Sequence, residues 1–225
     1  MNSPFMKKVN KDNKGMTLVE MVVSFALLGI LVAASTVIIS NVTMLYYRVR
    51  GENYARQISN IVITKVTSEI AGAKIDNKNT AANPKILKNV DGVEDISGNA
   101  IRLFDRTDTE VIIYVKDGVL VLNYPKIKDE ENPNNNRVST DWKYDKSIYN
   151  GFSIKELYIV QAATADNEEI AARYGLKGVV QGNYPDNIVA IYMTLESPKY
   201  GEFKVYRYVK IYEASESDFE IDIIE

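Results

Sequence analysis

The chain has 225 residues, a formal net charge of −3 and 25% charged residues, with neither cysteine nor histidine. Those two zeros exclude a disulfide framework, a thiolate nucleophile, a Cys/His zinc site, a histidine general base and a Ser-His-Asp triad. A hydrophobic share of 46% is enough for a core, and the balanced charge gives no bias toward nucleic acid.

Residues 1–15 carry Lys7, Lys8, Lys11 and Lys14 against Asp12, a local charge of +3. After Glu20 the next charged residue is Arg48, so Met21 to Tyr47 is a run of 27 uncharged, mostly apolar residues. About 20 suffice to cross the hydrocarbon core. The run exceeds the roughly 7–15 apolar residues of a secretory signal peptide, and a membrane-spanning helix is predicted. Arg48, Arg50 and Arg56 beyond the span weaken the positive-inside signal. The short tail is expected in the cytoplasm, with the larger domain translocated.

Glu20 stands out at the head of this run. A carboxylate at the bilayer centre costs about 2.5–3.5 kcal/mol or more, so an acid here calls for a partner. A position near the interface, snorkelling to headgroups, is the alternative. The sequence around it is Lys14-Gly15-Met16-Thr17-Leu18-Val19-Glu20, a basic leader followed by an apolar helix.

This constellation resembles the class III signal of type IV prepilins and pseudopilins, and the resemblance covers about the first 50 residues. It implies recognition of the leader at Lys14 and Gly15, cleavage by a membrane prepilin peptidase between Gly15 and Met16, and N-methylation of Met16. It makes Glu20 the glutamate that guides subunit assembly. Removing the leader takes the net charge from −3 to −6. It also creates a cationic amine at Met16, about 6 Å from Glu20 along a helix. In a filament, Glu20 of one subunit would neutralise the Met16 amine of its neighbour. A buried charge is tolerable when paired, so the pair sets register more than stability. Two departures from the family pattern are present. Met16 replaces the common phenylalanine, and Val37 stands where many major pilins have a helix-kinking proline.

Beyond Arg48 the pattern turns amphipathic. Tyr54, Ile58, Ile61, Val62, Val66 and Ile70 form one helical stripe. One helix is predicted from about Thr17 to Ala71, with Gly72 as its stop. Residues 73–100 read as a polar loop. Ile101 to Phe104 reads as a short strand. Glu110–Lys116 and Val119–Tyr124 flank Asp117-Gly118, a strong two-residue hairpin signal. Residues 126–146 read as a solvated loop whose acids lack the spacing of an EF-hand. Gly151–Ala162 is a predicted strand and Asp166–Tyr174 a short helix ending at Gly175. A second hairpin pairs 187–196 with 203–212. Val189, Ile191, Met193 and Leu195 lie on one face of its first strand. Phe203, Val205, Val209 and Ile211 lie on one face of its second, with Tyr206 and Tyr208 opposite. One buried face is expected, and Arg207 interrupts it. The tail, 216–225, reads as a final strand or a frayed end. Fifteen tyrosines fit either a sugar- or peptide-binding surface or simple strand preference.

The predicted fold is α+β and pilin-like: a long N-terminal helix, its first half spanning the membrane, packed on an antiparallel sheet head. Residues 1–15 are the cleaved leader, 16–47 the membrane or filament-core half of the helix, and 48–225 the head. The resemblance implies a structural subunit of a type IV pilus or related filament, a minor pilin. Its partners would be other pilin subunits, the prepilin peptidase, an assembly platform and, before assembly, the membrane. A pseudopilin of a type II secretion or DNA-uptake machine shares this architecture. An uncleaved, membrane-anchored binding module or sensor is the reading of another class. No catalytic group, cofactor or metal site is expected: Glu130/Glu131 and Glu168/Glu169 are adjacent acids in polar segments, and no phosphate-binding glycine loop appears.

Overall fold

A computed structural model describes residues 16–75, 83–126, 137–176, 184–212 and the backbone of 222–224. The fold is α+β. The long helix α1 runs Leu18–Ala71, and nine strands form two sheets. The chain divides into two compact units, Met1–Tyr47 and Arg48–Glu225. The predicted leader, including Lys14 and Gly15, lies outside the described residues.

Within the second unit, α1 buries Gly51, Ala55, Ile58, Ser59, Val62, Ile63, Val66 and Ile70. These positions recur every three to four residues, the spacing that lines one helix face. Ile61, predicted to join the stripe, is 41% exposed; Ala55 and Ile63 occupy the face instead. The face belongs to one apolar cluster with Leu103, Ile113, Leu120, Leu122, Ile159 and Ile191 from the strands. Each fully buried Ile or Leu adds about 1.5–3 kcal/mol.

A single sheet was expected, and two are present. The first has six strands in the order β5-β4-β3-β2-β1-β9. Its strands are β1 Lys85–Leu87, β2 Ala100–Phe104, β3 Glu110–Lys116, β4 Val119–Tyr124, β5 Thr140–Lys143 and β9 Asp222–Ile224. The β3–β4 hairpin forms as predicted. Asp117 and Gly118 both have positive φ, 53° and 75°, as the tight hairpin turn requires. Two segments read as loops contain strands. Residues 73–100 hold β1, which pairs parallel with β9 at the other end of the chain. Residues 126–146 hold β5, paired with β4, followed by a 3-10 helix at Lys146–Tyr149 that Asp145 caps by accepting from Ser147 N.

The second sheet has the order β6-β7-β8, from Ser153–Gln161, Ile188–Ser197 and Gly201–Lys210. Val189, Ile191, Met193 and Leu195 are buried as predicted. The other face of β7 is buried as well, which corrects the one-face expectation. Helix α2, Ala165–Arg173, covers it over Val160, Ala190 and Tyr192. The tyrosines on this face spend themselves on one another. Tyr184 and Tyr208 stack at 5.0 Å, and Tyr174 packs on Tyr192 at 5.1 Å. Arg207 turns toward the helix and donates to Thr64 Oγ1 at 3.4 Å.

The two sheets are stitched by residues 97–99. Ser97 N donates to Val115 O, Leu157 N to Ser97 O, and Asn99 N to Leu157 O, at 2.9–3.0 Å. The buried Asn99 side chain continues the ladder: its amide donates to Ile159 O and its carbonyl accepts from Ile159 N, both at 2.8 Å. Gly98 permits this approach. Its φ is +105°, and an added Cβ would sit 1.9 Å from Leu157 O.

Candidate functional site

The first unit is built from the apolar half of α1. From Met16 to Tyr47 its large apolar side chains are exposed, Met16 at 69% and Leu28 at 54% among them. The helix is long and apolar enough to cross a membrane. Its hydroxyls are satisfied locally: Ser35 Oγ donates to Leu31 O at 2.8 Å and Thr36 Oγ1 to Val32 O at 2.9 Å. Such back-bonding suits a segment whose surroundings offer no water. The helix continues unbroken through Val37, consistent with the missing proline.

Glu20 lies in the first turn of α1, and the structure gives it a partner that the sequence reading did not name. Thr17 is the residue before the helix. Its backbone N donates to Glu20 Oε2 at 2.8 Å and its Oγ1 to the same oxygen at 3.0 Å. Glu20 N donates back to Thr17 Oγ1 at 3.3 Å. Met21 N then opens the helical ladder on Thr17 O at 3.1 Å. This is a capping box, in which the residue before the helix and the third residue inside it satisfy each other's unpaired amides. The signal for it was present: a Thr-x-x-Glu pattern directly before an apolar run. A carboxylate in the first turn also faces the positive end of the helix dipole.

The box does not exhaust the carboxylate. Both Thr17 bonds fall on Oε2, and Oε1 accepts no hydrogen bond among the described residues. An ionised carboxylate offers about four acceptor positions. Glu20 is thus held in one orientation with acceptor capacity left for a donor from outside the chain. Met16, the next functional candidate, is exposed immediately before the box.

The other acidic candidates form no site. Glu168 and Glu169 lie on α2, where Glu169 Oε1 pairs with Arg173 at 2.5 Å. Glu130 and Glu131 lie outside the described residues. Among the described residues no group of three or more Asp or Glu side chains is placed to hold a metal ion.

Residues 10–36 match the prokaryotic N-terminal methylation motif. The chain therefore carries a type IV pilin-like signal, and the match spans Gly15, Met16, Thr17, Glu20 and the first part of the apolar helix. No curated protein and no solved structure matches the chain. The likeness rests on this segment, and the head has no recognised relative.

Proposed function

We propose that the chain is the precursor of a structural, non-enzymatic subunit of a type IV pilus or related filament, in the role of a minor pilin. The observation that carries this reading is the methylation motif at residues 10–36, because it covers the cleavage position and the assembly glutamate together. Prepilin peptidase recognises the leader at Lys14 and Gly15, cuts between Gly15 and Met16, and the Met16 amine is methylated. Residues 1–15 are lost. Residues 16–47 pass from the membrane to the filament core, and residues 48–225 form the head on the filament surface.

The precursor sits in the cytoplasmic membrane with its N-terminus inside and moves to the cell surface on assembly. Exposed apolar side chains around the first half of α1 support this path, since lipid and neighbouring helices both cover such a surface. In the filament, the Glu20 carboxylate of one subunit takes the Met16 amine of the next. The contact is heterologous and does not close, which generates a helix of subunits. The capping box supports the pairing by fixing the carboxylate in advance, which lowers the cost of ordering it. The unbroken helix at Val37 favours a minor over a major subunit. A pseudopilin of a secretion or DNA-uptake machine uses the same steps in another assembly.

Mass spectrometry of the mature N-terminus in the native host tests the reading. The expected product begins at Met16 and carries one added methyl group. A chain that keeps Met1, or an unmethylated terminus elsewhere, overturns it in favour of an uncleaved anchor.

A further inference from the structure

The six-stranded sheet has a second face, opposite the one that carries Val111 and Ile113 into the core. Strand pairing places Arg102, Ile112, Asn123 and Asp141 in one row across β2 to β5. This row, with Tyr114 and the loop at residues 89–93, lines a cavity of about 710 Å³. A second cavity of about 390 Å³ shares Glu110 and Pro125 with it and continues past Val138. Together they make an elongated groove over a sheet face. From this groove we propose that the head binds a neutral oligosaccharide chain along the outer face of β2–β5.

Four features select that ligand. First, the groove is longer than one small molecule needs, since the larger cavity alone lies within the range of about 300–1,000 Å³ for such sites. Second, its charges cancel. Arg102, Lys116 and Lys126 face Asp91, Glu110 and Asp141, leaving no net field to select a phosphate, a polyanion or a cationic segment. Third, its polar groups are paired and held. Asn123 Nδ2 donates to Asp141 Oδ1 at 2.7 Å and to Ser139 Oγ at 3.1 Å, and Arg102 Nε lies 3.7 Å from Glu110 Oε1. Planar amide, carboxylate and guanidinium groups in fixed pairs suit the adjacent hydroxyls of a sugar, each both donor and acceptor. Fourth, the floor is a sheet face whose backbone groups are used in the ladder. A peptide that binds by adding a strand finds no edge there.

Tyr114 on the floor is the independent observation. The residue is only 2% exposed, yet its hydroxyl makes no hydrogen bond among the described residues. Buried hydroxyls ordinarily have a partner. Burial pushes the Tyr114 phenol up, and the nearby Asp141 carboxylate adds to the rise, so the group remains a neutral donor. A ligand hydroxyl at the floor satisfies it.

The test uses the full chain in a detergent without a sugar headgroup. It is titrated calorimetrically with cellohexaose, maltohexaose and chitohexaose, with their disaccharides, with hexagalacturonate and with a neutral decapeptide. At least one neutral hexasaccharide is expected to bind with Kd of about 1 mM or tighter, and about tenfold tighter than its disaccharide. Asn123→Ala is expected to weaken it about tenfold, and Tyr114→Phe about fivefold, with unchanged melting curves. The proposal is overturned if no neutral hexasaccharide binds, if both variants bind like the parent, or if hexagalacturonate or the decapeptide binds instead. None of these outcomes depends on filament assembly, so failure here leaves the N-terminal processing reading intact.

Discussion

The two halves of α1 obey the same backbone rules and meet opposite surroundings. Between residues 48 and 71 one face is buried against strands and the rest carries Arg56, Asn60, Lys65 and Glu69. Between residues 18 and 47 every large apolar side chain is exposed around the whole circumference. A helix apolar on all sides has to be covered, by lipid or by other helices. The first half thus leaves its stability to an environment that the chain does not supply, while the second half carries its own.

The head should break first where its sheets are stitched. Gly98→Ala places a Cβ against Leu157 O in a conformation that alanine resists. The expected loss is about 4 kcal/mol or more, read by urea denaturation of the head's tyrosine fluorescence, and an unchanged midpoint would show that the sheets join elsewhere. Next in size is the contrast between the helix halves. Ile58→Ala removes a fully buried side chain and should cost about 2–5 kcal/mol. Ile38→Ala, at 62% exposure, should leave the same transition within about 0.5 kcal/mol. Equal effects would mean that the apolar half supports the head directly. Gly51→Ala is a finer probe. Its Cβ would lie 2.8 Å from Tyr200 Cβ, where Tyr200 also stacks on Phe152 at 5.6 Å. Overpacking costs about 1–3 kcal/mol, and the better helix propensity of alanine returns about 1 kcal/mol. A net loss near 1 kcal/mol is expected, and a stabilised variant would show that Tyr200 yields freely.

Local signals made much of the head legible. The hairpin at Asp117-Gly118 needs only two residues of positive φ between β-rich runs, and α1, α2 and the β7–β8 pair announce themselves by periodicity. The misses share a physical cause. β1 and β9 are three residues each and exist because they find each other across more than 130 residues. β5 has four exposed residues and no apolar alternation. The stitch at 97–99 depends on an amide side chain standing in for backbone, which no pattern of hydrophobicity encodes. Ile61 was placed inside because the stripe was read one step off, and Ile63 took the buried position. The Thr17–Glu20 box was hidden differently. Its spacing coincides with that of the processing signal, so one glutamate answered to two patterns and only one was read.

That coincidence sets the last and, for stability, the smallest experiment. Losing a helix cap costs about 1 kcal/mol, confined to the first turn of α1 and silent in head unfolding. Assembly is the sensitive readout. Glu20→Gln keeps an acceptor at the third helical position, so the box survives while the charge is lost. Thr17→Ala weakens the box but keeps the carboxylate and the Thr17 amide that bonds to it. Glu20→Ala removes box and charge together. If charge pairing with the neighbour's Met16 amine drives incorporation, the Gln and Ala variants are both cleaved normally and both scarce in purified filaments, while Thr17→Ala incorporates. If the cap is what matters, Glu20→Gln assembles like the parent, and Thr17→Ala fails beside Glu20→Ala. Quantifying each variant in the filament and membrane fractions separates the two, because a glutamine can cap a helix but cannot neutralise an ammonium.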